Sequence, residues 1–446
     1  MSDASSALRD PARRAKVVLL SSWFFVTITN LWLLKPIRQA SLLAHLGSQE
    51  TPWVRLASVA VVAAVVLVYS RVADRASRLQ LAVGMNLACA GILATFWGLI
   101  QIFGEAIGGA RPFVWAVYVM VDVYAVVIVG LFWTYANDVV TREEADSLYG
   151  PIGLGGIIGG IAGGFFADLF AKPLGSENLL VPCVLLSIGS ALLAYFSERR
   201  FNPPPRRVEA RPPEESGLGS ALEGLRSIAG SRYLMLVVAI VVAYEFTATL
   251  TDFAINIVFE RTYHDKELLA KMYGRLGWIA SGTAIASQLI LVPLVLSKKR
   301  LALAIPPLAM AVGAVGLLVT PMILFAFVLG AADRGLNYSL HQVAKETLYV
   351  PLDDVHKYKA KAAIDMLIDR AGKAGAALVL LWVIAKFGMS VSVTLMIALA
   401  AVAIWLVAAV SLGAAYMKLV ANAPPPPAKP HEEPPQAVPK DTPALP

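Results

Sequence analysis

Residues 344–375 read AKETLYVPLDDVHKYKAKAAIDMLIDRAGKAG and stand between two long apolar segments. Six basic side chains (Lys345, Lys357, Lys359, Lys361, Arg370, Lys373) and five acidic ones (Glu346, Asp353, Asp354, Asp365, Asp369) crowd this stretch. An ionised side chain in hydrocarbon costs roughly 2.5–3.5 kcal/mol on insertion scales. Charge at this density between apolar flanks therefore belongs at a membrane face or beside a watered cavity.

The rest of the chain agrees. It is 57% hydrophobic and only 15% charged, where a soluble chain carries about 25% charge. Apolar runs near the ~20 residues that cross a bilayer recur along its length. Twelve spans are expected near 17–43, 52–70, 79–103, 112–136, 150–171, 178–197, 233–259, 274–296, 301–319, 321–343, 361–386 and 390–418. Arg13, Arg14 and Lys16 precede a first span that outruns a signal peptide and shows no small-residue cleavage site. Cys89 and Cys183 both fall inside spans and the five histidines are scattered, so no disulfide framework or metal site is expected. The net charge of +7 concentrates in alternate loops, at Arg71, Arg75, Arg78, Arg142, Arg199, Arg200 and Lys298–Arg300. By the positive-inside rule those loops and both termini are cytoplasmic.

A polar stretch at 198–232, with ERRFNPPPRRVEARPPEE, divides the spans six and six and reads as a linker. Within it Ser220–Ser231 could form a short surface helix. The expected organisation is an N-terminal segment 1–16, a six-helix half 17–197, the linker, a second half 233–420 and a disordered Pro-rich tail 421–446. This is an all-α membrane protein of two six-helix halves with a cavity between them, the arrangement of major-facilitator-type transporters. The run GPIGLGGIIGGIAGG repeats glycine every four residues at Gly156, Gly160 and Gly164. That spacing predicts close helix–helix packing, not a phosphate loop, since no Lys-Ser/Thr follows.

Seven ionisable residues lie well inside spans: Lys35, Arg38, Asp122, Glu245, Asp252, Asp333 and Arg334. Unpaired in lipid they would cost roughly 17–25 kcal/mol together, more than the ~5–15 kcal/mol that holds a protein folded. They must pair or line water. Lys35 and Arg38 share a helix face, as do Glu245, Asp252 and Asn256, and then Arg334, Asn337, Tyr338, His341 and Lys345. Mixed bases and acids can hold an anion when loaded and neutralise one another when empty, which favours exchange over net flux. Trp32, Tyr118, Trp133, Tyr244 and Asn337 could offer surface to a planar ring, packing being the commoner role.

Several segments resemble one family, the plastid-type and bacterial nucleotide transporters (the TLC family of ATP:ADP exchange translocases). LLKPIRQ is similar to its first-span pattern and places Lys35 and Arg38 on two basic positions, with Gln39 replacing an acidic one. MVDVYAVVIVGLFWTYANDVVTREEADSLYGPIGLGG resembles its fourth and fifth spans, with Asp122 on an acidic position. Asp252 falls on another, although Ile255 and Asn256 replace the usual Trp-Lys. The opening stretch, with the residues before it, resembles the family's KE-x-x-Y-[IV]-PLD, K-x-KAAID and GK-x-G run, matching Lys345, Lys361, Asp365, Arg370 and Lys373.

The resemblance implies a major-facilitator-like antiporter exchanging nucleotides or a related phosphorylated anion. It implies a bacterial inner membrane, a lipid bilayer and a small anionic substrate as partners, and no nucleic acid. The implied substrate-binding set is Lys35, Arg38, Asp122, Asp252, Arg334, Asn337, Lys345, Lys361, Asp365, Arg370 and Lys373. The alternative keeps the fold but couples another metabolite to protons through Asp122, Glu245 or Asp252. A sensor built on the same scaffold is a third reading. No enzyme is expected, because no nucleophile–base pair, metal set or cofactor fingerprint is present.

Overall fold

The computed structural model describes residues 10–73, 75–201, 218–349, 351–352, 360–361 and 363–421. Asp353, Asp354, Lys357, Lys359, residues 202–217 of the linker and 422–446 of the Pro-rich tail lie outside the described residues.

The described residues form helices and short connections. The first half contains α1 Pro11–Leu46, α2 Thr51–Ala73, α3 Arg78–Phe103, α4 Arg111–Val139, α5 Arg142–Leu174 and α6 Leu180–Phe201. A short helix, Leu218–Ala229, follows where the linker was expected to form one. The second half contains α7 Arg232–Thr262, α8 Lys266–Ala286, α9 Lys299–Val319, α10 Ile323–Leu336, α11 Asp369–Phe387 and α12 Val391–Ala421. Among the described residues, ten helices are long and apolar enough to cross a membrane. The two other expected spans fall on α10 and α11. The first stops after 14 residues at a π-type turn, Asn337–His341. The second carries Asp369, Arg370 and Lys373 within its first turns and is preceded by a π-type turn, Ile364–Ile368.

Local sequence explains the ends. Asp10 accepts from the Ala12 N–H at 3.0 Å and Pro11 opens α1, where its missing N–H is no loss. Gly47, at φ 78°, closes α1 with its N–H on the carbonyls of Leu42 and Leu43. Reciprocal capping boxes, Ser77 with Gln80 and Thr141 with Glu144, start α3 and α5. Pro36 sits inside α1 and leaves the carbonyl one turn earlier without its usual partner.

The glycine run of α5 performs the expected packing on two sides. A Cβ on Gly155, Gly159 or Gly163 would meet the α1 carbonyls of Ser21, Phe25 or Thr29 at 2.3–2.5 Å. One on Gly164 would meet the Trp278 nitrogen of α8 at 2.6 Å. So α5 is wedged between its own half and the other. Further contacts between the halves join α1 to α8 and α2 to α11. Within the first half, Asn30 donates to Ser187 at 2.8 Å, and Thr27 pairs with Ser190 at 3.2 Å, polar links suited to helices in lipid. The outer surface is apolar: Val319 and Val407 are 73% and 68% exposed. A surface of that kind calls for hydrocarbon as its solvent, and the chain is an integral multi-pass membrane protein.

Candidate functional site

Between the halves lies a cavity of about 410 Å³, lined from α1, α2, α4, α7, α8, α10 and α11. Six cations reach it: Lys35, Arg38, Arg55, Arg334, Arg370 and Lys373. Four carboxylates face them: Asp122, Glu245, Asp252 and Asp333. All seven residues expected inside spans line this one space. The excess of cations makes it an anion-attracting chamber.

The charges are ordered in pairs. Arg38 donates to Asp122 Oδ1 and lies 4.3 Å from the centre of the Tyr118 ring. Ser58 of α2 donates to the other Asp122 oxygen at 2.5 Å. Asp252 accepts from Arg334 through Oδ1 at 2.6 Å and from Arg55 through Oδ2. Lys373 lies between Asp369 at 2.8 Å and Glu245 at 3.5 Å. Tyr244 donates to Asp333 at 3.3 Å. Lys35 is held differently. Its Nζ is 4.3 Å from the Trp32 ring centre and donates to the Tyr338 hydroxyl at 3.3 Å. Among the described residues, Lys35 and Arg370 have no carboxylate within ion-pair reach. Two cavity cations thus remain uncompensated, with the aromatic faces of Trp32 and Tyr338 beside one of them.

The expected set divides. Lys35, Arg38, Asp122, Asp252, Arg334, Asn337, Arg370 and Lys373 come together in the cavity. Lys345, Lys361 and Asp365 do not line it. Lys345 pairs with Asp365 at 3.3 Å and Lys361 with Glu346 at 2.6 Å, in a separate cluster toward the linker end. The π-type turns are the physical reason. Each rotates the residues beyond it off the straight-helix face that the sequence spacing assumes. Lys361 also sits about 18 Å along the helix from Lys373 at 1.5 Å per residue. His341 leaves the face in the same way and is buried against Tyr244 and Trp405. Trp133 packs with Phe24, Phe132 and Tyr149 outside the cavity.

Arg55 is the residue that sequence reasoning missed. It is the one charged residue of its expected span, which is a usable signal. A cation one turn inside a helix end reads as a snorkelling anchor, whereas its guanidinium turns inward. Gln39, in an unusual position for the pattern it resembles, lines the cavity and has its Nε2 buried without a hydrogen-bond partner.

One end of the bundle is closed by bonds across the halves. This is the end bearing the short connections after α1, α3, α5 and α7. Glu260 accepts from the Ser48 N–H at 2.9 Å and from its hydroxyl. Lys266 donates to Glu177 and, at 3.4 Å, to Glu105. Asp168 accepts from Arg275 twice at 3.1 Å and from Trp278 at 3.0 Å. Burial pushes the Glu105 carboxyl up, but its hydrogen bond with His45 and the Lys266 charge outweigh this and hold it below the usual range. At the linker end, the bonds among described residues stay within one half, as in Lys16 to Glu144 or Tyr233 to the Leu348 carbonyl. Among the described residues, no group of three or more His, Cys, Asp or Glu side chains is placed to hold a metal ion.

The TLC ATP/ADP transporter family model matches residues 111–192 and 209–416. The chain is 29% identical over 338 residues to the chloroplastic ADP,ATP carrier protein 1 of Arabidopsis thaliana, covering 66% of this chain and 53% of that protein. It is 25% identical over 346 residues to ADP,ATP carrier protein 1 of Chlamydia pneumoniae, covering 68% of this chain and 67% of that one. It thus spans about half the length of the plant relative. Solved structures share the fold. The POT family transporter PepTSo superposes with a TM-score of 0.61 at 12% identity, over 92% of this chain and 99% of that one. A bacterial homologue of the iron transporter ferroportin in an inward-facing state gives 0.62 at 12% identity, over 91% and 99%. At those identities the likeness is one of fold, the major-facilitator-like arrangement of two six-helix halves.

Proposed function

The chain belongs to the TLC ATP/ADP transporter family, and from that premise we propose that it exchanges nucleotides, or a closely related phosphorylated anion, across a membrane by alternating access. The carrying observation is the cavity in which six cations outnumber four carboxylates, with Lys35 and Arg370 outside every ion pair among the described residues. A polyphosphate needs several fixed cations, and arginine can take two of its oxygens at once. In this reading Lys35, Arg38, Arg55, Arg334, Arg370 and Lys373 hold the phosphate chain, and Trp32, Tyr338 and Asn337 stand where a base could lie.

The carboxylates have a part when the cavity is empty. Asp122 and Asp252 then occupy the arginines that cargo would occupy, so binding trades one set of anions for another. Closure at one end, and bonds that stay within one half at the other among the described residues, correspond to a state open toward the linker. The basic loops lie at that end, which supports a cytoplasmic linker, cytoplasmic termini and, for a bacterial chain, the inner membrane.

Purified protein in vesicles loaded with ADP tests the reading. Labelled ATP should enter with no pH gradient imposed, and unlabelled ADP outside should compete. Uptake strictly dependent on a proton gradient would instead favour a proton-coupled carrier working through Asp122, Glu245 or Asp252.

A further inference from the structure

We propose that Arg55 is a positioning residue that holds the empty cavity closed at the end opposite the linker, so that the bare protein cannot reorient. The proposal rests on the exchange reading for its transport consequence and on geometry for the bridge itself. Arg55 lies one turn into α2, and Asp252 lies in α7 of the other half. Their ion pair must part if the halves separate at that end. The Arg334–Asp252 and Arg38–Asp122 pairs each belong to one half and can move with it intact.

The other bonds that close this end, at Glu260, Lys266 and Asp168, line no part of the cavity, so cargo does not reach them. Besides the link from the Lys35 ammonium to the Tyr338 hydroxyl, Arg55 to Asp252 is, among the described residues, the cross-half bridge in the cavity that a bound anion can contest. Asp252 uses one oxygen for each arginine. An anion offering oxygens to Arg55 can release it from Asp252, whose charge stays compensated by Arg334. With no anion present, parting the bridge strips the Arg55 guanidinium of its ion-pair partner in a partly dry chamber and leaves it Tyr118 and the Asp122 charge of its own half, which Arg38 already engages. Separating a buried ion pair in this way is unfavourable.

The test compares full-length wild type with Arg55→Gln and Arg55→Lys in vesicles, using labelled ATP outside and either ADP or buffer inside. Wild-type uptake should depend roughly tenfold or more on internal ADP, the rate expected from a barrier set by a broken ion pair. Arg55→Gln should lose most of that dependence, and Arg55→Lys should keep it. An unchanged dependence in Arg55→Gln overturns the proposal. Since weaker ATP binding could blank both arms, a second measurement uses no cargo. Spin labels at Gln49→Cys and His264→Cys, one on each half, report the gap at the closed end. Arg55→Gln and Asp252→Asn should each add a longer distance absent from wild type, and identical distributions overturn the proposal. Failure of wild type to exchange nucleotides would sink the exchange reading alone, because the spin-label distances judge the bridge without cargo.

Discussion

Arg38 of α1 and Asp122 of α4 form an ion pair whose charge-reversed counterpart stands in the other half, where Asp252 of α7 meets Arg334 of α10. In helix order α7 follows α1 by six places, and α10 follows α4 by the same number. The same two positions of each half thus face the cavity with base and acid exchanged. The chamber acquires arginine on both sides, and Arg38 and Arg334 each have a carboxylate from their own half.

That arrangement predicts strong coupling within a pair. Asp122→Ala leaves Arg38 beside the Tyr118 ring and the Tyr118 carbonyl, without its carboxylate, and should lower thermal stability in detergent. Arg38→Ala with Asp122→Ala together should lose less than the sum of the single changes, by about 0.5–3 kcal/mol. Simple additivity would mean that the pair does not interact in the membrane.

Placement in the cavity should separate lysines by their effect on transport. Lys35→Ala removes an uncompensated cavity cation and is expected to reduce ATP uptake by about tenfold or more, the worth of a charge-assisted contact. Lys361→Ala breaks a partly exposed pair with Glu346, and the exposed Lys172→Ala touches only the end of α5. Both should keep most of the uptake. Equal losses at all three would remove the cavity from the argument for function.

Helix contact can be tested on the glycines of α5. Gly164→Ala drives a methyl group into the α8 backbone, and overpacking of this kind costs about 1–3 kcal/mol. Gly153→Ala in the same helix has open space around it and should be neutral or stabilising by up to about 1 kcal/mol, since alanine is the better helix former. Melting temperatures in detergent decide between these outcomes.

A pH effect is expected at the linker end, before the apolar span that begins at Ser147. Burial raises the Glu144 carboxyl, but the Lys16 ammonium at 2.6 Å and the Thr141 N–H at 3.1 Å more than offset this, and its pKa falls below the ordinary 4.5. A depressed carboxylate adds stability above its ordinary pKa and loses it as pH falls through the folded value. Glu144→Gln should therefore be less stable than wild type at pH 7, with the gap closing below about pH 4. A gap that persists unchanged into acid would mean that the Lys16 contact contributes nothing.

Much of the architecture was legible because lipid imposes a simple rule. A residue such as Asp122 or Arg334 inside an apolar run must find a partner or water, and all seven such residues share one chamber. The glycine spacing of α5 was equally readable, since close backbone approach needs a missing Cβ. Lys345 leaves the face that its spacing predicts because periodicity assumes an unbroken α-helix and the turn at Asn337–His341 is not α-helical. Lys361 and Asp365, expected from the family resemblance and not from spacing, lie outside the cavity lining.

The sequence by itself determined that this chain crosses a membrane many times in two halves and that its internal charges must be compensated. Both follow from the free energy of moving each side chain out of water, a property of composition and order along the chain. The tertiary structure alone decided which acid meets which base. It turned Arg55 inward to Asp252, left Lys35 between aromatic rings, and closed one end of the bundle. These depend on distances between residues up to 303 positions apart, which only the packing of helices against one another can set.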